Sequence, residues 1–207
     1  MTMRARFTLL ALAAVLGLGG CVADPAPYDR YYPLTIGDAG RRYGQPLLAG
    51  TVEVTNLAAA GLTGDQAILY ADGGGPALQQ YSYHYWLEPP TVQVRDAVVT
   101  ALRQSGAAER VITPETRSDA RYRITGRLLE LRHHRAGADS AVTVGVDLAV
   151  VRARDRTTLH VGTYSAREAV GSTDVGAAVE AAQKALTRIT GRFLDDLAEA
   201  VRAQRRE

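Results

Sequence analysis

Apolar and polar positions alternate most clearly in the second half of the chain. From Ala120 to about Arg132, Tyr122, Ile124 and Leu128 fall on one side, and Arg121, Arg123, Thr125 and Arg127 on the other. A period of two with that contrast predicts a strand with one buried and one wet face. Residues 142–151 repeat the pattern, with Val142, Val144, Val146, Leu148 and Val150 in phase. Leu159 to Val170 returns as a strand after the turn Arg154-Asp155-Arg156-Thr157. Shorter strands are predicted at 31–36, 51–57, 66–70, 78–85 and 110–112, and the polar, Gly-rich residues 37–50 read as a loop. The turn Asp72-Gly73-Gly74-Gly75-Pro76 joins 66–70 and 78–85 as a hairpin.

Two segments change to helical spacing. Pro89-Pro90 open the first, because proline tolerates a helix's first turn, where its missing N–H would have no partner. Val94, Ala97, Val98, Ala101 and Leu102 then recur along one face until Gly106. The second runs from Asp174, an N-cap candidate, to about Gln204. Its stripe of Val175, Ala178, Val179, Ala182, Leu186, Ile189, Phe193, Leu197 and Val201 is rich in alanine, which lets a helix lie close to a sheet. Glu180, Lys184, Arg188, Arg192, Asp196 and Glu199 occupy the outer positions. Gly191 costs about 1 kcal/mol relative to alanine inside a helix, so it marks close packing or a bend. The order of strands, helix, strands, helix predicts an α+β fold. It is expected to be a mostly antiparallel sheet with two helices packed on one face, a two-layer sandwich.

The first residues follow a different logic. Arg4 and Arg6 precede the apolar run Phe7 to Leu16, too short for a membrane span of about 20 residues. The run ends in Leu18-Gly19-Gly20-Cys21, which resembles the lipobox of bacterial lipoproteins, and Cys21 is the only cysteine. A diacylglyceryl group can alkylate its thiol, and cleavage before it frees an amine for a further acyl chain. Each buried CH₂ then adds about 0.8 kcal/mol of membrane affinity. Residues 1–20 are therefore expected to be a lipoprotein signal peptide, 21–30 a Pro-containing tether, and 31–207 one α+β domain with Cys21 as the lipid attachment.

A lone cysteine excludes an intramolecular disulfide and any CxxC site. The formal charge is +2, but residues 1–20 hold Arg4 and Arg6 and no acid, so the chain from Cys21 onward is formally neutral. No basic stripe is interleaved with aromatics, which argues against nucleic acid.

Catalytic constellations are not found. His133 and His134 are adjacent on a strand and point to opposite faces, so they cannot easily share a metal. His84 and His160 stand alone, and neither HExxH nor GxSxG occurs. The Gly73–Gly75 run leads into Pro76 and a strand, not into the Lys and Ser/Thr of a phosphate loop. The chain reads as a non-enzyme, with no cofactor and no metal expected.

The unusual piece is Tyr81-Ser82-Tyr83-His84-Tyr85-Trp86-Leu87-Glu88-Pro89-Pro90, which holds the only tryptophan. Simple alternation puts Tyr81, Tyr83 and Tyr85 on one face and Trp86 on the other. Trp86 suits a plug at the edge of the core. Aromatics are also enriched at interfaces, so Tyr81, Tyr83, Tyr85 and Trp86 are the candidate partner-contact residues. A second candidate is the strand face with Arg121, Arg123 and Arg127, which also reads as an ordinary solvated sheet face.

The run Ala67-Ile68-Leu69-Tyr70, the glycine turn, Tyr81 through Trp86, and Pro89 at a helix start resemble the ABC-type transport auxiliary lipoproteins, the PqiC-like intermembrane transport lipoproteins among them. Ala120-Arg121-Tyr122, the strands after it and the final Ala-rich helix fit as well, so the likeness covers about residues 30 to 203. It implies a periplasm-facing, non-catalytic accessory of an ABC system that moves lipid between inner and outer membranes. The implied partners are an MCE-domain (MlaD/PqiB-like) protein, an ABC permease/ATPase complex and further copies of the chain. It implies an outer-membrane anchor facing the periplasm. Val22 stands where an Asp would retain a lipoprotein at the inner membrane in some bacteria, and the inner membrane is the alternative. A structural or assembly lipoprotein of another outer-membrane complex is the competing reading. Direct lipid carriage would need an enclosed apolar cavity.

Overall fold

Three long consecutive strands form the spine of the molecule: β7 (Tyr122–Arg135), β8 (Ala141–Arg152) and β9 (Thr158–Ala169). They pair antiparallel almost end to end, as the alternation and the turns between them predict. The computed structural model describes residues 26–206 apart from 74, 76 and 173, so the proposed signal peptide and Cys21 lie outside the described residues.

The other edge of β7 takes three partners in turn, all parallel to it. β2 (Leu48–Val54) pairs with residues 122–124, β3 (Ala58–Ala59) with 127–128, and β4 (Ala67–Asp72) with 133–135. Beyond β2 lies β6 (Ala108–Ile112), parallel. Beyond β4 lies β5 (Gln79–Trp86), antiparallel in the expected hairpin, and β1 (Arg30–Tyr32) forms the edge parallel to β5. Among the described residues the result is a nine-stranded sheet. It is mixed and strongly curled, approaching a half-barrel, so the expectation of a mostly antiparallel sheet is corrected while α+β holds. The physical reason is that β2, β3 and β4 are neighbours in sequence but pair with β7 instead of with each other. Parallel pairing needs a long connection and leaves no turn signature to read.

Two features of β7 interrupt its regular pairing. The ladder with β8 slips between Leu128 and Glu130, a bulge at Leu129 that shifts the phase. Tyr122, Ile124 and Leu128 are buried as the alternation predicts, and after the bulge Leu131 and His133 take over the inward positions. Gly126 sits where an added Cβ would lie only 2.2 Å from the Asp147 carbonyl oxygen, so the two strands approach too closely for a side chain there.

The helices are α1 (Pro90–Ser105) and α2 (Val175–Gln204). Pro90 opens α1, and Gly106 closes it in the left-handed conformation (φ 67°), its N–H donating to the carbonyls of Arg103 and Leu102. Asp174 holds the N-cap position of α2, but its side chain makes no capping hydrogen bond. Every residue of the predicted α2 stripe is buried, in one core shared by α1 and the inner face of the sheet. The predicted strand 31–36 ends at Tyr32, where Pro33 stops donating to the ladder. From there a strap runs along α2. The Gly37 N–H donates to Thr187 Oγ1 (3.0 Å), Gln183 to the Pro33 carbonyl (2.9 Å) and Tyr43 OH to the Leu194 carbonyl (2.9 Å). Gly191 packs beneath this strap, with Ala39 as its nearest neighbour.

Candidate functional site

The Tyr-rich strand does not keep a simple alternation. Between β4 and β5 the register moves from Leu69↔Gln80 to Ala67↔Tyr85, so β5 carries surplus residues opposite a short piece of β4. Tyr83 adopts φ 63° within that surplus. The irregularity turns Tyr81 and His84 toward each other, ring centroids 6.1 Å apart. Tyr81 is half-buried, Tyr83 is exposed, and Tyr85 stacks on Tyr31 of β1 at 5.6 Å. Trp86 is 3% exposed and belongs to the core. The three tyrosines therefore do not form one continuous row.

Tyr81 anchors a network that sequence reading missed. Its hydroxyl lies 2.8 Å from His133 Nδ1, and His133 Nε2 lies 2.7 Å from Ser140 Oγ. The Tyr81 ring rests 4.4 Å from Tyr70, and the Arg135 guanidinium sits 4.4 Å above Tyr70 and 5.8 Å from Tyr81. Arg135 also pairs with Asp72 at 2.9 Å. In parallel, the Tyr32 hydroxyl meets His84 Nδ1 at 2.8 Å, with the two rings stacked. The partners in each Tyr–His pair are 52 residues apart, so no local pattern announces them.

Both histidines are held toward the neutral form. Burial pushes the His133 pKa down, and the charges of Arg135 and His134 push it the same way. Burial also lowers His84, with Arg30 next. A Ser–His pair at hydrogen-bond distance resembles a nucleophile and its base. Here a tyrosine hydroxyl stands where a triad places a carboxylate, and the nearby Asp72 is engaged by Arg135 instead of the imidazole. The arrangement is a brace that ties the β4–β5 hairpin to β7 and to the turn before β8. His134 points the other way, as expected, and its Nε2 lies 3.1 Å from Glu130 Oε1. Among the described residues, no group of three or more His, Cys, Asp or Glu is placed to hold a metal ion.

On the arginine face the contacts differ from residue to residue. Arg123 contacts Glu53 at 2.9 Å, Arg121 lies over the Tyr122 ring at 5.6 Å, and Arg127 stands in register with Asp147. Beside Trp86, the apolar cavity lined by Ile68, Leu131 and Ala178 amounts to only about 10 Å³, space for a single water at most. Core packing there is complete.

The comparisons agree with this fold. A model of the family described as "ABC-type transport auxiliary lipoprotein component" matches residues 34–192. The chain belongs to that family of auxiliary lipoproteins. A solved Xanthomonas campestris protein superposes with TM-score 0.73 at 20% identity, covering 86% of this chain and all of its own. An uncharacterised protein of solved structure gives TM-score 0.61 at 10% identity, covering 84% of this chain and 99% of its own. At those identities the likeness concerns the fold. No curated protein matches the chain by sequence. Among the described residues, no helix is long and apolar enough to cross a membrane.

Proposed function

We propose that this chain is a periplasm-facing lipoprotein, acylated at Cys21 after removal of residues 1–20 and held at the outer membrane. In this reading it serves as a non-catalytic accessory of an MCE-type ABC system that carries lipid between the inner and outer membranes. The observation that carries it is the family match over residues 34–192. The filled core beside Trp86 supports an accessory role over lipid carriage by this protein. The neutral His133 brace supports a structural use of the only buried His–Ser pair among the described residues. The aromatic corner at Tyr81–Trp86 is the proposed contact region. Within it Tyr83 is exposed, Tyr85 is half-buried against Tyr31, and Tyr81 and Trp86 shape the corner from inside.

Crosslinking in native membranes, followed by purification of the lipoprotein and identification of what accompanies it, tests the partnership. Recovery of an MCE-domain protein or its ABC permease is the expected outcome. Recovery of outer-membrane assembly proteins alone would replace this function with the assembly reading.

A further inference from the structure

Three of the exposed large apolar side chains lie close together at one edge of the sheet: Tyr28 is 90% exposed, and Tyr31 and Leu87 55% each. Tyr31 lies in the three-residue edge strand β1, Tyr28 just before it, and Leu87 one position past the end of β5, whose residues 84–86 pair with β1. Tyr31 and Tyr85 are register partners with stacked rings, and the Leu87 N–H donates to the Tyr32 carbonyl at 2.8 Å, so the patch continues past the end of β5. The nearby charges are mixed, with Asp29, Arg30 and Glu88 all exposed.

The place where the chain enters this edge decides what can cover it. Tyr28 is seven residues after Cys21. Fully extended, that stretch spans about 25 Å. A domain of this size is about 40 Å across. With Cys21 acylated, the tether is shorter than the domain is wide, so the far side of the molecule cannot be turned to the bilayer while β1 points away. Tyrosine is suited to that position, because its ring accepts an apolar surrounding while its hydroxyl stays wet.

We propose that the β1 edge, through Tyr28, Tyr31 and Leu87, rests on the headgroup region of the bilayer that holds the lipid anchor, beside the corner at Tyr83 left for the protein partner. The edge then fixes the orientation of the domain, presenting α1, α2 and the arginine face away from the membrane. This inference rests on the proposed acylation of Cys21. Because the local charges are mixed, the contact depends on aromatic burial and not on anionic lipid.

The test uses the chain's single cysteine. The mature lipoprotein is reconstituted in vesicles of phosphatidylethanolamine and phosphatidylglycerol, with nitroxide labels at Tyr28→Cys, Tyr31→Cys, Leu87→Cys or, as control, Val161→Cys. Val161 is 68% exposed on β9. Accessibility to a water-soluble nickel complex is compared with that of the unacylated chain beginning at residue 22. The expected result is a severalfold fall at 28, 31 and 87, none at 161, and the same fall in vesicles lacking phosphatidylglycerol. Equal accessibility at all four positions would overturn the proposal. So would spin–spin broadening between labels at 31, which would assign the edge to a second copy. Labelling of the wild-type protein would show a free Cys21 thiol, and then the anchor reading itself fails.

Discussion

Gly126 offers the sharpest test of how the sheet is built. It sits in the middle of β7, between the residues that pair with β2 and those that pair with β3. An added methyl would lie 2.2 Å from the Asp147 carbonyl oxygen, 3.0 Å from Leu148 Cδ2 and 3.2 Å from Leu57 Cδ2. Carbon and oxygen ordinarily approach to about 3.3 Å. Gly126→Ala therefore forces about 1 Å of separation between two strands held by a long ladder, and the obstructing atom is backbone. Overpacking a well-filled interior costs about 1–3 kcal/mol, and a clash with backbone belongs at the upper end. For a chain of this length, about 3 kcal/mol lowers Tm by roughly 6–12 °C. Gly145→Ala is the control on the neighbouring strand, since its methyl would meet Glu130 Cβ at 3.5 Å and Leu129 Cβ at 3.6 Å, ordinary contacts. Its expected change is within about 1 kcal/mol, with a gain from a less flexible unfolded chain as the favoured sign. Thermal and urea unfolding followed by circular dichroism on the chain from residue 22 reads both. If the two variants melt together, the close approach of β7 and β8 at Gly126 is wrong.

The other predictions concern single interactions. Gly191→Ala should raise stability by up to about 1 kcal/mol, because the position is helical and its methyl would meet Ala39 at an ordinary 3.6 Å; a lowered urea midpoint would refute this. Tyr81→Phe leaves buried His133 Nδ1 without a partner and should cost about 1–3 kcal/mol in chemical denaturation, whereas Tyr83→Phe should cost almost nothing. His133 has a lowered pKa in the folded state, so below its ordinary 6.5 the unfolded chain binds the extra proton first. Its contribution is fully retained above about pH 6.5 and is lost as pH falls through the folded value. His133→Asn should flatten the fall in urea midpoint on acidification in that window, and an unchanged slope would exclude His133 as the cause. Intact-mass measurement of protein from native membranes should give a chain starting at Cys21 with acyl chains attached, and an unmodified thiol there would remove the anchor.

Elements whose causes are local were readable from the sequence. The two helices, the Pro90 start, the Gly106 stop and the strands β7 to β9 each follow from spacing or a punctuating residue within a few positions. The β4–β5 hairpin followed from its glycine turn. What escaped depends on distant pairs. The parallel docking of β2, β3 and β4 on one edge of β7 has no local signature, and neither has the bulge at Leu129 that moves Leu131 and His133 into the core. At the candidate site, residues 81–86 were recognisable by composition, and Trp86 as a core plug by its alternation with the tyrosines. The inward turn of Tyr81 was not, because it depends on the surplus in β5 and on a histidine 52 residues away. Exposure of Tyr28 and Tyr31 likewise emerges only once β1 is seen to be the last strand of the sheet.

The proposed role is to assist lipid movement between membranes without performing chemistry. The most direct measurement is the rate at which labelled phospholipid redistributes between inner- and outer-membrane fractions in cells lacking the chain. Deletion should slow redistribution, the wild-type chain should restore it, and Cys21→Ala should not. A rate that is the same with and without the chain would contradict the account.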